Sequence, residues 1–156
     1  MQRVLLTGMS GTGKSTVMTE LAARGYKAVD TDDGDWHVWA DVAGEPDRVW
    51  REDRIRELLL SEDVDVLFVS GTASNQVEFY PWFDHVVLLS APVPVIVERL
   101  ARRTNNPYGK RPDELARVLG HVETIEPLLR RGATLEVDTS VPLQEVVEAI
   151  LRLVQD

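Results

Sequence analysis

The stretch Val4-Leu5-Leu6-Thr7-Gly8-Met9-Ser10-Gly11-Thr12-Gly13-Lys14-Ser15-Thr16 decides how the rest of the chain is read. It opens on an apolar, strand-like run, passes through three glycines and continues from Lys14 into a helical pattern. Gly8 to Ser15 has the spacing G-x-x-x-x-G-K-[ST], placed after a strand and before a helix, where that spacing carries meaning. Glycines let the chain curl until successive backbone N–H groups point inward, and the helix N-terminus adds partial positive charge. The expected ligand is the polyphosphate of ATP or a closely similar nucleoside triphosphate, held by Gly8, Ser10, Gly11, Thr12, Gly13, Lys14, Ser15 and Thr16. Lys14 would reach the β- and γ-phosphates, making it a candidate catalytic residue, and the Ser15 hydroxyl would bind Mg²⁺. A Gly-rich turn with a merely solvated lysine is the competing reading, and the agreement of spacing with context weighs against it.

Outward from this loop, short β-type runs alternate with longer helical patterns, as in a parallel sheet covered by crossover helices. Strands are expected at 3–7, 27–30, 64–70, 85–90 and 134–137, several apolar almost throughout, as strands buried on both faces require. Helices are expected at 14–24, 48–61, 93–103, 113–131 with a bend before Pro127, and 142–155. The 156 residues suit one domain, residues 1–156, with one core. A net charge of −9 argues against a nucleic-acid partner, which would need a basic surface. Without cysteine there is no disulfide and no thiol nucleophile. The start at Met1-Gln2-Arg3 and the lack of a long apolar run lead to the expectation of a cytoplasmic protein with no membrane partner. No coiled-coil pattern decides between monomer and homodimer.

A second Mg²⁺-facing group must be an acid. The run 64–70 ends in Phe68-Val69-Ser70-Gly71 with none, whereas Val29-Asp30-Thr31-Asp32-Asp33 delivers a carboxylate cluster. Asp30 is the choice for the Mg²⁺ environment, with Asp32 for the acceptor side, where it would orient or deprotonate a hydroxyl. An acidic turn capping backbone N–H groups is the alternative. Between Asp30 and Arg51 stand Trp36, His37, Trp39, Trp50 and several acids, either a pocket for a sugar, aminosugar or cationic acceptor or a cover over the sheet edge.

Four stretches resemble the small P-loop metabolite kinases, shikimate kinase and gluconate kinase in particular, with nucleoside monophosphate kinases more distant. They are GMSGTGKST, YKAVDTDD, VVLLSAPVPVIVERLARR and LEVDTSVPLQEVVEAIL. The resemblance implies an α/β sandwich with a five-stranded parallel sheet of order 2-3-1-4-5, a lid at about 103–112, and an acceptor segment at about 31–52. It implies transfer of the γ-phosphoryl of MgATP to a hydroxyl of a small metabolite. Arg51 looks like the arginine that holds the acceptor's carboxylate. Arg102, Arg103, Lys110 and Arg111 fall in or beside the lid, with Arg103 chosen as catalytic, and Asp138, Thr139 and Ser140 resemble the loop near the adenine. Where shikimate kinases carry a run of glycines, this chain has Ser70-Gly71-Thr72-Ala73-Ser74-Asn75-Gln76. Gly71, Thr72, Asn75 and Gln76 therefore join Asp32, Asp33 and Arg51 as acceptor-binding candidates, with hydroxyl and amide groups suited to a polyol or sugar. Two other functions compete: a nucleoside monophosphate kinase, and an ATP-hydrolysing switch that signals through conformation.

Overall fold

The computed structural model describes residues 2–32, 34–42, 44–104 and 107–155. In chain order its elements are β1 (Gln2–Thr7), α1 (Lys14–Ala23), β2 (Lys27–Asp30), β3 (His37–Val42), β4 (Glu45–Trp50), α2 (Glu52–Leu60), β5 (Val66–Ser70), a 3-10 segment (Gln76–Trp82), β6 (His85–Ser90), α3 (Val93–Arg102), α4 (Pro112–Thr124), α5 (Glu126–Gly132), β7 (Leu135–Asp138) and α6 (Leu143–Leu151). Five strands form one parallel sheet in the order β2-β5-β1-β6-β7. Numbered within that sheet alone, the order is the expected 2-3-1-4-5.

The central strand explains the layering. Side chains alternate across a strand, so Val4 and Leu6 of β1 point one way and Leu5 the other, all three fully buried. Val4 and Leu6 pack with Val17 and Leu21 of α1 and Val147 and Ile150 of α6. Leu5 packs instead with Trp50, Ile55 and Leu59 and with Phe79 of the 3-10 segment. Helices thus cover both faces, which is why the strands read as unbroken apolar runs. The C-terminal ends of β1, β2 and β5 open onto the loop that follows β1.

Two expectations are corrected. The helix expected from residue 48 starts at Glu52, because Arg48, Val49 and Trp50 complete an antiparallel ribbon of β3 and β4. Trp50 decides this: its ring is 1% exposed, its backbone N–H donates to Asn75 Oδ1 at 2.9 Å, and its indole N–H donates to Thr31 Oγ1 at 2.9 Å. The helix expected over 113–131 is two helices, α4 and α5, meeting at Ile125. Pro127 sits in the first turn of α5, where its missing N–H costs nothing.

Candidate active site

Between Thr7 and Lys14 the chain turns from strand to helix, and Gly11 and Gly13 do so with φ of 85° and 94°. A side chain is strained there, and a Cβ on Gly11 would stand 3.0 Å from Ile96 Cγ2, so the loop lies tight against α3. Thr12 is buried and donates to Met9 O at 2.7 Å. Lys14 folds back over the loop, its Nζ donating to Gly8 O at 2.6 Å and Met9 O at 3.3 Å. Burial pushes the Lys14 ammonium below its usual pKa; Asp32 and Asp30 pull it upward, and Arg103 pushes it down further.

Ser15 Oγ donates to Asp30 Oδ2 at 3.2 Å, and the other Asp30 oxygen accepts the Asp32 N–H at 3.0 Å. A hydroxyl and a carboxylate side by side at a helix N-terminus are hard oxygen donors, the set that suits Mg²⁺ beside a phosphate. Both residues line a cleft of about 770 Å³, together with Lys14, Asp32, Arg99, Arg102 and Arg103.

The cleft's far wall holds a brace that sequence reading missed. Arg99 donates to Gly11 O at 3.3 Å and to Thr139 Oγ1 at 2.7 Å, and a second guanidinium N–H reaches Thr139 O. Thr139 Oγ1 in turn donates to Thr12 O at 2.7 Å. Arginine clusters on helices are usually solvated, so only the packing of α3 against the loop singles Arg99 out. Arg102 pairs with Glu98 at 3.0 Å, and Arg103 donates to Tyr108 O across the segment that joins α3 to α4. Burial holds the Arg103 guanidinium below its usual pKa. Of the expected adenine loop, Thr139 lines the cleft with Val141, whereas Asp138 and Ser140 are exposed and absent from its lining. Asp138 instead accepts the Ser140 N–H at 2.8 Å, and the Ser140 hydroxyl first, then that N–H, lower its pKa.

A second cleft, of about 540 Å³, lies on the other side of Lys14 and Asp32 and shares them and Ser10 with the first. Of the acceptor candidates, Asp32 and Thr72 line it, and Thr72 Oγ1 donates to Gly8 O at 2.8 Å. The other described candidates are engaged by the scaffold. Gly71 is wedged between Thr31 and Trp50. Asn75 clamps the Trp50 backbone, donating to its carbonyl at 3.0 Å. Gln76 is 3% exposed and donates to Thr7 Oγ1 at 3.1 Å and Tyr80 OH at 2.9 Å. Arg51 is turned to Asp35 at 2.6 Å and Asp53 at 3.7 Å. Asp33 and the lid residues Asn105 and Asn106 lie outside the described residues.

In place of Arg51 the ribbon sends His37, Asp47 and Arg48 into this cleft, and the far side adds Tyr108 and His121. Alternation over 37–41 was the available signal. His37 is half-buried, and its Nδ1 has no hydrogen-bond partner among the described residues. Burial, then Arg48, lowers its pKa, with Asp32 acting the other way, which favours the neutral imidazole. Among the described residues no helix is long and apolar enough to cross a membrane.

The AAA domain family profile matches residues 4–120. No curated protein matches the sequence. Among solved structures, the shikimate kinase from Bacteroides thetaiotaomicron superposes with a TM-score of 0.67 at 20% identity, covering 98% of each chain. The shikimate kinase from Acinetobacter baumannii, in complex with shikimate, gives 0.65 at 22% identity over 99% of this chain and 93% of its own. A gluconokinase from Sinorhizobium meliloti gives 0.56 at 20% identity over 97% and 93%. At these identities the likeness is one of fold.

Proposed function

The chain belongs to the AAA domain family and has the fold of the small P-loop metabolite kinases, and on that premise we propose that it transfers the γ-phosphoryl of MgATP to a hydroxyl of a small metabolite. One observation carries this reading: two clefts, one over the phosphate loop and one under the ribbon, meet at Lys14 and Asp32. A phosphoryl group passing between two bound molecules needs such a junction, with a cation for its oxygens and an acid–base group for the entering hydroxyl.

The backbone N–H groups of 8–15 would grip the β- and γ-phosphates, and Lys14 would follow the charge onto the transferring group. Ser15 and Asp30 would hold Mg²⁺, whose positive charge would offset the negative charge of the phosphate oxygens. Arg102 and Arg103 stand at the root of a lid formed by about 103–112, whose closure excludes water. Asp32 orients the acceptor hydroxyl and takes its proton as the oxygen–phosphorus bond forms and the bond to the β-phosphate oxygen breaks. The segment 31–52 supplies much of the acceptor's surroundings. Such a kinase would work in the cytoplasm, where MgATP is available.

ADP release measured across a panel of sugars, polyols, hydroxy acids, aminoglycosides and nucleotides tests the proposal. Release that depends on both Mg²⁺ and one acceptor class is the expected result. Steady ATP hydrolysis that no acceptor accelerates would replace it with the switch reading.

A further inference from the structure

Two main-chain oxygens hold Lys14, and each of them has a second donor. The ammonium donates to Gly8 O at 2.6 Å and to Met9 O at 3.3 Å. Gly8 O also accepts the Thr72 hydroxyl at 2.8 Å, and Met9 O also accepts the Thr12 hydroxyl at 2.7 Å. Gly8 and Met9 are buried, where a carbonyl stripped of its partner is costly. Thr12 belongs to the loop itself. Thr72 comes from the segment after β5, 64 positions along the chain from the carbonyl it holds.

The groups behind Thr72 fix the direction of its hydrogen bond. The Ala73 N–H, which can only donate, reaches Gln76 Oε1 at 2.9 Å and so orients the Gln76 amide. The amide nitrogen then donates to Thr7 Oγ1 at 3.1 Å and to Tyr80 OH at 2.9 Å. The Thr7 hydroxyl turns its own proton to Thr72 Oγ1 at 3.2 Å, nearer than Gln76 Oε1 at 3.5 Å. The Gly8 N–H approaches the same Thr72 oxygen at 3.5 Å. Donors thus face both lone pairs of Thr72 Oγ1, and its proton goes to Gly8 O. Thr7 and Gln76 are 0% and 3% exposed, so the relay is shielded from water.

If the loop takes the polyphosphate of MgATP, Lys14 has to give up these carbonyls to reach the phosphate oxygens. We propose that Thr72 is a positioning residue for Lys14, holding Gly8 O when the ammonium swings from the loop carbonyls to the phosphates, with Thr12 doing the same for Met9 O. The inference deepens the nucleotide half of the proposed function and rests on it. A hydroxyl that merely braced the fold would affect stability and nucleotide binding in the same way whatever stood at position 14. Two donors sharing one oxygen produce a different pattern, because the loss of either is felt only when the other is absent or called away.

The test is a double-substitution cycle on the full chain, with Thr72→Val and Lys14→Met made singly and together and Thr72→Ser as the conservative variant. Valine keeps the shape of threonine and removes the hydroxyl. In the ligand-free protein, Thr72→Val should move the melting temperature by less than about 2 °C while Lys14 is there to hold Gly8 O. In the Lys14→Met background, where neither donor remains, it should lower the melting temperature by about 4 °C or more. Calorimetric affinity for the magnesium complex of a non-hydrolysable ATP analogue should show the reverse. Thr72→Val should weaken binding roughly 5- to 100-fold when Lys14 is present, since its departure now strips Gly8 O, and less than about twofold in the Lys14→Met background. Thr72→Ser should behave as the unmodified protein in both measurements. The proposal is overturned if Thr72→Val leaves analogue affinity unchanged with Lys14 present, or if its effects on affinity or on melting temperature are equal in the two backgrounds. Where Lys14→Met binds no analogue, the melting temperatures and the Thr72→Val affinity decide. Failure of the analogue to bind the unmodified protein would instead remove the nucleotide reading and the handover with it, and the melting temperatures would still report whether Thr72 and Lys14 share Gly8 O.

Discussion

Lys14 occupies a position where a cation is both costly and useful. Desolvation lowers its pKa in the fold, and Asp32 and Asp30 offset part of that effect. A folded-state pKa below the unfolded one means that the protonated lysine costs the folded state stability at neutral pH, a cost relieved as pH rises from the lowered value towards the ordinary one. Lys14→Met keeps the stem and removes the charge. It is expected to raise the melting temperature by about 2–4 °C while lowering turnover by roughly a thousandfold or more, a stability–activity trade-off. Scanning calorimetry and ADP release check the two halves, and a lower melting temperature would mean that the bonds to Gly8 O and Met9 O outweigh desolvation. Asp32→Asn separates a different pair of quantities. Loss of the proton acceptor should depress kcat by about 100-fold or more while the KM for ATP stays within about twofold. Steady-state kinetics with either substrate varied decides it, and an unchanged kcat would remove Asp32 from the chemistry.

At the scale of elements, the phosphate loop is held by its neighbours as much as by its own glycines. Gly11 packs on Ile96 and Leu100 of α3, and Arg99 ties Gly11 to the loop after β7. Gly11→Ala must place a Cβ at positive φ against Ile96, with an expected loss of about 1–3 kcal/mol, read from urea denaturation midpoints. The β3–β4 ribbon hangs from the sheet through Trp50. Trp50→Phe removes the indole N–H that reaches the buried Thr31 hydroxyl and leaves a partial cavity, for a loss of about 1–3 kcal/mol. Because, of the two clefts, the described ribbon residues line the second and not the first, that substitution should raise the KM of the acceptor far more than that of ATP. Equal changes in both would show that the ribbon and the phosphate loop are not independent.

Over the whole molecule, acid should unfold the protein through carboxylates that the fold keeps ionised. Arg130 lowers the pKa of Glu136 most, with Ser90 adding to it against partial burial, and Lys27 and Ser140 do the same for Asp63 and Asp138. A depressed folded pKa contributes stability that is present above the ordinary carboxylate value and is lost as pH falls through the lowered one. The melting temperature is therefore expected to fall as pH drops below about 4.5, and Glu136→Gln should shallow that decline in a calorimetric pH series.

Much of this was readable along the chain because it is local. An apolar run ending in Gly8, the spacing to Lys14 and the alternation of strand and helix are patterns of neighbours, and each was enough to place an element of the parallel sheet. The sheet order came from resemblance, since nothing in a strand's own residues says which partner it takes. What stayed hidden depended on distant partners. Arg48-Val49-Trp50 suits a helix as well as a strand; Thr31 and Asn75, 19 and 25 positions from Trp50, make it a strand by taking its polar groups as the ring enters the core. Arg48 and Arg51 are three residues apart and alike in chemistry, yet the register of the ribbon turns one into the cleft while Asp35 and Asp53 hold the other at the head of α2. Asn75 and Gln76, read as groups for a ligand, are consumed by backbone and side-chain partners that only folding brings near. By itself, then, the sequence determined the phosphate loop and the parallel α/β layout, because short-range pattern encodes both. Tertiary structure alone decided which polar groups were left over to line the second cleft, because that depends on what every other group has already bonded.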